Sequence, residues 1–353
     1  MLRAASALVF SASVLACGAS TPEPVAPSPT PAAPAAPANP TPAPGLALTT
    51  APAAAPPPAA PPAAPKLSAA LDDKAVAAAA GAEKAESSDG VIKVSFPRTD
   101  VPVSVDGWRM PPFMGLTSWA GFTPGREGVA EAMVMGDLVL FEDEVNPVMS
   151  ALLDNGVQVT ALHNHFFFDA PHVYFMHIGG EGSVASLGKG VKLAMAKVVE
   201  IRKKTPKPSG SSSAPPLPAK STIDAAKLDA AFGVKGQAKD GMYKAVMGRK
   251  TQAACGCAVG KAMGVNTWAA FAGTDESAVV DGDFAVAESE LQPVLKALRG
   301  AGINVVAIHS HMTQESPRIL FLHYWGRGKS ADLAQAVMRA LELTAWDGRS
   351  PST

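Results

Sequence analysis

The chain is short of net charge, of cysteine and of long apolar runs. Its 30 basic and 31 acidic residues nearly cancel, and the basic ones are dispersed. No electrostatic footprint for nucleic acid is present, so no nucleic-acid partner is expected. Cysteine occurs three times in 353 residues. The longest N-terminal apolar run, Ala4 to Leu15, is roughly twelve residues and falls short of the ~20 that span a bilayer. Motifs for a nucleophile elbow, a phosphate loop or a catalytic triad are also missing.

What the N-terminus does hold is an address. Arg3 precedes the apolar run, and a small residue, Ala16, precedes Cys17. Residues 1–17 read as a signal peptide, and the ending Val14-Leu15-Ala16-Cys17 resembles a lipobox, at which a lipoprotein is cleaved and lipidated on the cysteine. The expectation is an exported protein anchored to the cell envelope through Cys17, with membrane contact through the lipid. Gly18 rather than Asp follows the cysteine, which favours the outer membrane where the cell has one. Residues 18–65 are almost entirely Ala, Pro, Thr and Ser, too poor in apolar bulk to order themselves. Such a tether favours extended polyproline II.

The folded part is a tandem duplication. A shift of 146 positions carries Gly136-Asp137 onto Gly282-Asp283, Glu144 onto Glu290, Pro147 onto Pro293 and Gly156 onto Gly302 without a gap. It also carries His163, His165 and His177 onto His309, His311 and His323. Repeats span 67–202 and 222–346, joined by a Pro-, Ser- and Lys-rich linker at 203–221.

Within each repeat, β-rich stretches at 132–141 and 278–287 lead through acidic residues to Asn146-Pro147 and Gln292-Pro293. Proline suits the first turn of a helix, and Gly156 or Gly302 closes that helix. Strands Val157–His165 and Val173–Ile178 and a closing helix near 191–201 or 331–343 follow, after upstream strands at 92–96 and 102–105. The fold class is α+β: each copy has a β-α-β-β-α core, an antiparallel or mixed sheet, and helices on one face.

All seven histidines fall in the matched segments. Alternation along a strand puts His163 and His165 on one face with Val157, Val159 and Ala161, and likewise His309 and His311 with Ile303, Val305 and Ala307. If the hairpin loops centre on Ala170 and Ser316, His177 stands opposite His163, and His323 opposite His309. Three imidazoles near a carboxylate suit a divalent transition metal, Zn, Fe, Ni or Cu. Asp169 and Glu315, four residues after the second histidine, are the candidates for a ligand, a supporting partner or a general base. The competing reading is a set of core histidines hydrogen-bonded to their neighbours. His172 is replaced by Arg318 in the second copy. Cys255 and Cys257 form a pair suited to a structural disulfide in a loop, or to a redox or metal role.

The strings Gly136-Asp137-Leu138-Val139-Leu140, Glu144-Val145-Asn146-Pro147-Val148-Met149 and Val159-Thr160-Ala161-Leu162-His163-Asn164-His165 resemble the LppY/LpqO family of bacterial lipoproteins. The resemblance covers both copies, from about Val91 to the last helix. It implies a domain of unknown function, and so supplies no activity, cofactor or catalytic residue. This chain departs from the family's His-Asn-His at Ser310 and from its Pro-Arg at His172. Three functions follow from the residues: an envelope module binding a metal or a metal-bound small ligand, a metal-dependent hydrolase or lyase, and a scaffold with structural histidines held near cell-wall material.

Overall fold

A computed structural model describes residues 66–208, 215–346 and 349. The segments expected to be a signal peptide (1–17) and a tether (18–65), and part of the expected linker at 203–221, lie outside the described residues.

Each copy opens on a short capped helix. In α1 (Asp73–Ala80) the Asp72 carboxylate accepts the Ala75 N–H, and Gly81 ends the helix at φ 68°, where a side chain would be strained. The first copy continues through β1 (Glu86–Ser88), β2 (Val91–Pro97), β3 (Ser104–Val105), β4 (Trp108–Arg109), β5 (Thr117–Pro124) and β6 (Ala132–Phe141). It closes with α2 (Glu142–Asp154), β7 (Gln158–His163), β8 (Asp169–Ala170), β9 (Val173–Gly182) and α3 (Val184–Lys204). The second copy repeats this as α4 (Ala225–Phe232), β10 (Gln237–Lys239), β11 (Met242–Gly248), β12 (Thr251–Gln252), β13 (Ala258–Val259), β14 (Asn266–Gly273) and β15 (Ala278–Ala287). Then come α5 (Glu288–Gly300), β16 (Asn304–His309), β17 (Ile319–Gly328) and α6 (Ser330–Leu341).

Three helix starts differ from expectation. Helix α5 begins at Glu288 with Pro293 inside it, and α2 begins at Glu142, so Pro147 sits inside it rather than in its first turn. The acidic residues thought to lead into the helix are its first turn, where carboxylates face the free N–H groups and the positive end of the helix dipole. Glu144 turns back to accept the Phe141 N–H at 2.9 Å, and Glu290 does the same for Ala287 at 2.8 Å. Helix α3 likewise begins at Val184, because Ser183 caps it through the Ser186 N–H.

The long strands form one twelve-stranded sheet in the order β1-β2-β5-β6-β9-β7-β16-β17-β15-β14-β11-β10, with every pair antiparallel. The two copies meet at β7 and β16, where Leu162 stands opposite Ile308. Both outer strands, β1 and β10, are three residues long and fully exposed.

The six α-helices among the described residues contribute to one continuous apolar core on one side of the sheet, with α2 against α5 across the seam. Buried there are Leu138, Met176, Val159 and Leu162 of the first copy and Phe284, Val305, Ile308 and Leu322 of the second. The other side carries two small clusters beneath long loops, one around Val103, Leu116 and Phe175, one around Val259, Val265 and Phe321. Each loop is pinned by a buried ion pair. Arg98 donates to Glu144 at 2.9 Å and to the Val139 carbonyl at 2.9 Å, and Arg249 donates to Glu290 at 3.2 Å.

Candidate metal centres

The histidines do not lie on the apolar face that simple alternation assigns them. In β7 the register slips by one residue between Val159, opposite Ile178, and Ala161, opposite His177. In β16 the same bulge falls between Val305, opposite Tyr324, and Ala307, opposite His323. An extra residue inverts which side chains point which way. Val157 and Val159 therefore enter the helix-side core, while Ala161 and His163 face the side without helices. Ile303 and Val305 part from Ala307 and His309 in the same way.

The hairpin register also differs. His163 stands opposite Phe175, and His309 opposite Phe321, two residues from the expected partners. A shift of two keeps the face, so each triplet still gathers on one side. The rings of His163 and His177 stack with centroids 5.0 Å apart, and those of His309 and His323 at 4.9 Å. His163 Nε2 is 3.2 Å from His165 Nε2, and His309 Nε2 is 3.1 Å from His311 Nε2. The outer rings rest flat on phenylalanines, His165 on Phe175 at 3.4 Å and His311 on Phe321 at 3.5 Å. These stacks fix ring planes that would otherwise swing freely in solvent.

The sequence reading passed over a carboxylate. Asp137 lies directly opposite His177, and Asp283 directly opposite His323, on the face of the histidines. One potential ligand atom from each of Asp283, His309 and His311 lies within 4.8 Å of the others. The usable signal was an aspartate in the middle of an apolar strand, repeated in both copies. Beside it, Gly282 has no room for a side chain: a Cβ there would stand 2.2 Å from the Tyr324 ring.

Burial keeps the imidazoles of these sites in ligand form. Burial, then the neighbouring His323 and His311, pushes the His309 imidazole down to about 4, and burial lowers His311. Burial first, then His177 and His165, lowers His163, and burial lowers His165. Burial raises the Asp283 carboxyl to about 6 against the pull of His323. Neutral imidazole is the form that binds metal. Asp283 Oδ1 and His309 Nδ1 are buried with no hydrogen-bond partner among the described residues, and so is Asp137 Oδ1. Unpaired buried polar atoms are costly, and the other atom of each group faces the cluster: His309 Nε2 lies 3.1 Å and Asp283 Oδ2 3.8 Å from His311 Nε2.

Asp169 and Glu315 do different work. Asp169 accepts the Val173 N–H at 2.7 Å and contacts His172 Nδ1 at 3.1 Å, and Glu315 accepts the Ile319 N–H at 3.1 Å. Both buried carboxylates hold the loop that carries the second histidine. Cys255 and Cys257 are joined as a disulfide in the loop between β12 and β13.

A family model described as Domain of Unknown Function (DUF1259) matches residues 74–197 and again 226–343. The chain belongs to this family. Its two DUF1259 copies each contain a histidine triplet and an aspartate opposite its third histidine, Asp137 in the first and Asp283 in the second. No curated protein matches. Among solved structures, a trimeric bacterial microcompartment shell protein, PduB, matches with 16% identity over 73% of this chain and 89% of that one. The TM-score of 0.18 is too low for that likeness to bear on fold or function.

Proposed function

We propose that the protein is an envelope metal-binding module with two related sites, Asp283-His309-His311 with His323 alongside, and Asp137-His163-His165 with His177 alongside. The observation that carries this reading is the second site, where two imidazoles and a carboxylate converge within 4.8 Å and Asp283 Oδ1 and His309 Nδ1 are buried without partners. The donor set of imidazole nitrogen and carboxylate oxygen suits Zn²⁺ and its divalent transition-metal neighbours. Support for the envelope location is the signal-like segment ending at Cys17 and the tether behind it. The narrower assignment to LppY/LpqO lipoproteins rests on the motif strings of both copies.

The test is calorimetric titration of the metal-free protein with Zn²⁺, beside elemental analysis of protein purified without a histidine tag. Two ions per chain are expected, with the second copy binding more tightly, and His311→Ala should remove one of them. A wild-type protein that takes up no stoichiometric metal would overturn the reading.

A second reading, metal-dependent hydrolysis or lyase chemistry, draws on one observation. His165 and His311 are exposed on the helix-free side, which leaves coordination positions for water. Chelator-sensitive turnover across a panel of esters, amides and phosphate esters would support it.

A further inference from the structure

Each bulge that turns the histidines outward is held from the other copy. Asn146, on α2 of the first copy, donates to the Val305 carbonyl at 3.1 Å and accepts the Val305 N–H at 2.8 Å. Gln292, on α5 of the second copy, donates to the Val159 carbonyl at 2.8 Å and accepts the Val159 N–H at 3.1 Å. In both cases a side-chain amide pairs with the main chain as a neighbouring strand would. The two contacts are equivalent under the repeat: Asn146 aligns with Gln292, and Val159 with Val305.

We infer that these amides are crossed positioning residues: Asn146 sets the geometry of the second copy's metal site, and Gln292 that of the first. The inference rests on the metal-binding reading above. Val305 is the last residue in phase with the helix-side core, and Val306 is the extra residue of the bulge, 48% exposed. Ala307 and His309 follow in the opposite phase. The amide fixes Val305 where its N–H and C=O are satisfied, and so fixes the point at which the phase inverts.

Without the amide, two main-chain groups at a largely buried position lose their partners, which destabilises the bulged conformation. The strand can relieve that by straightening the bulge. Regular alternation would then carry His309 to the face of Val305, beneath the helices and away from Asp283. The same argument links Gln292, Val159 and His163.

The experiment uses the full chain in two backgrounds, each with one site remaining. His165→Ala leaves the second site, and His311→Ala leaves the first. In the His165→Ala background, Asn146→Leu should weaken Zn²⁺ binding on the order of 10–100-fold, the usual effect of losing a ligand's support, while Gln292→Leu leaves it within about twofold. In the His311→Ala background the two variants should exchange effects. Leucine variants that weaken the site of their own copy, or both sites equally, would overturn the inference. Should Asn146→Leu fail to fold, Asn146→Asp keeps the acceptor for the Val305 N–H and removes the donor. Imidazole resonances of the metal-free protein give a reading that needs no metal. Asn146→Leu should move the signals of His309 and His311, and Gln292→Leu those of His163 and His165. A same-copy pattern or unmoved signals would overturn the crossing. A wild type that takes no metal but shows the crossed shifts would instead overturn the metal reading and leave the positioning intact.

Discussion

The two copies share a frame and differ at its rim. Both keep the helix-start glutamate with its buried arginine, the bulge, the borrowed amide, the three histidines and the strand aspartate. At the loop after the second histidine the first copy exposes Phe167 and Phe168, where the second has Thr313 and Gln314. Only the second has a disulfide in the loop over its smaller cluster. Residues retained in both copies are those on which the geometry depends, whereas the rim is free to diverge because nothing in the shared frame is built on it.

Separating the copies should have the largest effect. Residues 66–208 alone would expose β7 as an open strand edge, together with part of the shared core. Unpaired edges seek partners, so light scattering should find a dimer or insoluble protein. A monomer with a cooperative unfolding transition would show that the copies are independent.

The buried ion pairs come next. Glu144 is fully buried, with Arg98 bonded to it and Arg202 Nε 2.9 Å away. Glu144→Ala would take from Arg98 and Arg202 the carboxylate they share, leaving them Asp100 and Asp143, and should cost about 3–5 kcal/mol in urea unfolding. Glu290 serves one arginine, Arg249, and is 8% exposed. Glu290→Ala should therefore cost less, about 3 kcal/mol at most. Equal losses would mean that Arg202 adds nothing to the first copy.

The smallest effect is a pH profile of the metal-free protein. With His309 pushed down to about 4 from 6.5, the unfolded chain takes the proton first, and this group removes stability as pH falls through that interval. Asp283, raised to about 6 from 3.8, acts oppositely: the folded state takes its proton first and gains stability as pH falls between those values. Asp283→Asn removes the compensation, so stability should fall more steeply between pH 6 and pH 4 than in the wild type. Parallel profiles by chemical denaturation at stepped pH would contradict this.

Much of this was legible in the sequence because it is local or repeated. Strand β6 runs over the residues that its β-rich composition marks, and a fixed shift of the chain against itself brings the histidines together. What escaped reading depends on contacts between distant residues. The bulges are held by amides more than 130 positions away, so nothing near Val159 or Val305 announces the change of face. The hairpins close around the Asp169 and Glu315 carboxylates, which set a register two residues from the one the loop composition suggests. Asp283 escaped notice because which strand pairs with its own, and so that His323 stands opposite it, depends on the sheet order and not on local sequence.

The three-residue outer strands have a consequence for assembly. β7 and β16 are equivalent strands of the two copies, so their antiparallel pairing closes on itself and leaves β1 and β10 as the edges through which a longer ribbon could grow. Growth stops at two because β1 and β10 offer any newcomer only a short polar template, Glu86-Ser87-Ser88 at one tip and Gln237-Ala238-Lys239 at the other. Lengthening either tip with alternating valines would remove that stop and turn a self-limiting molecule into a polymerising one.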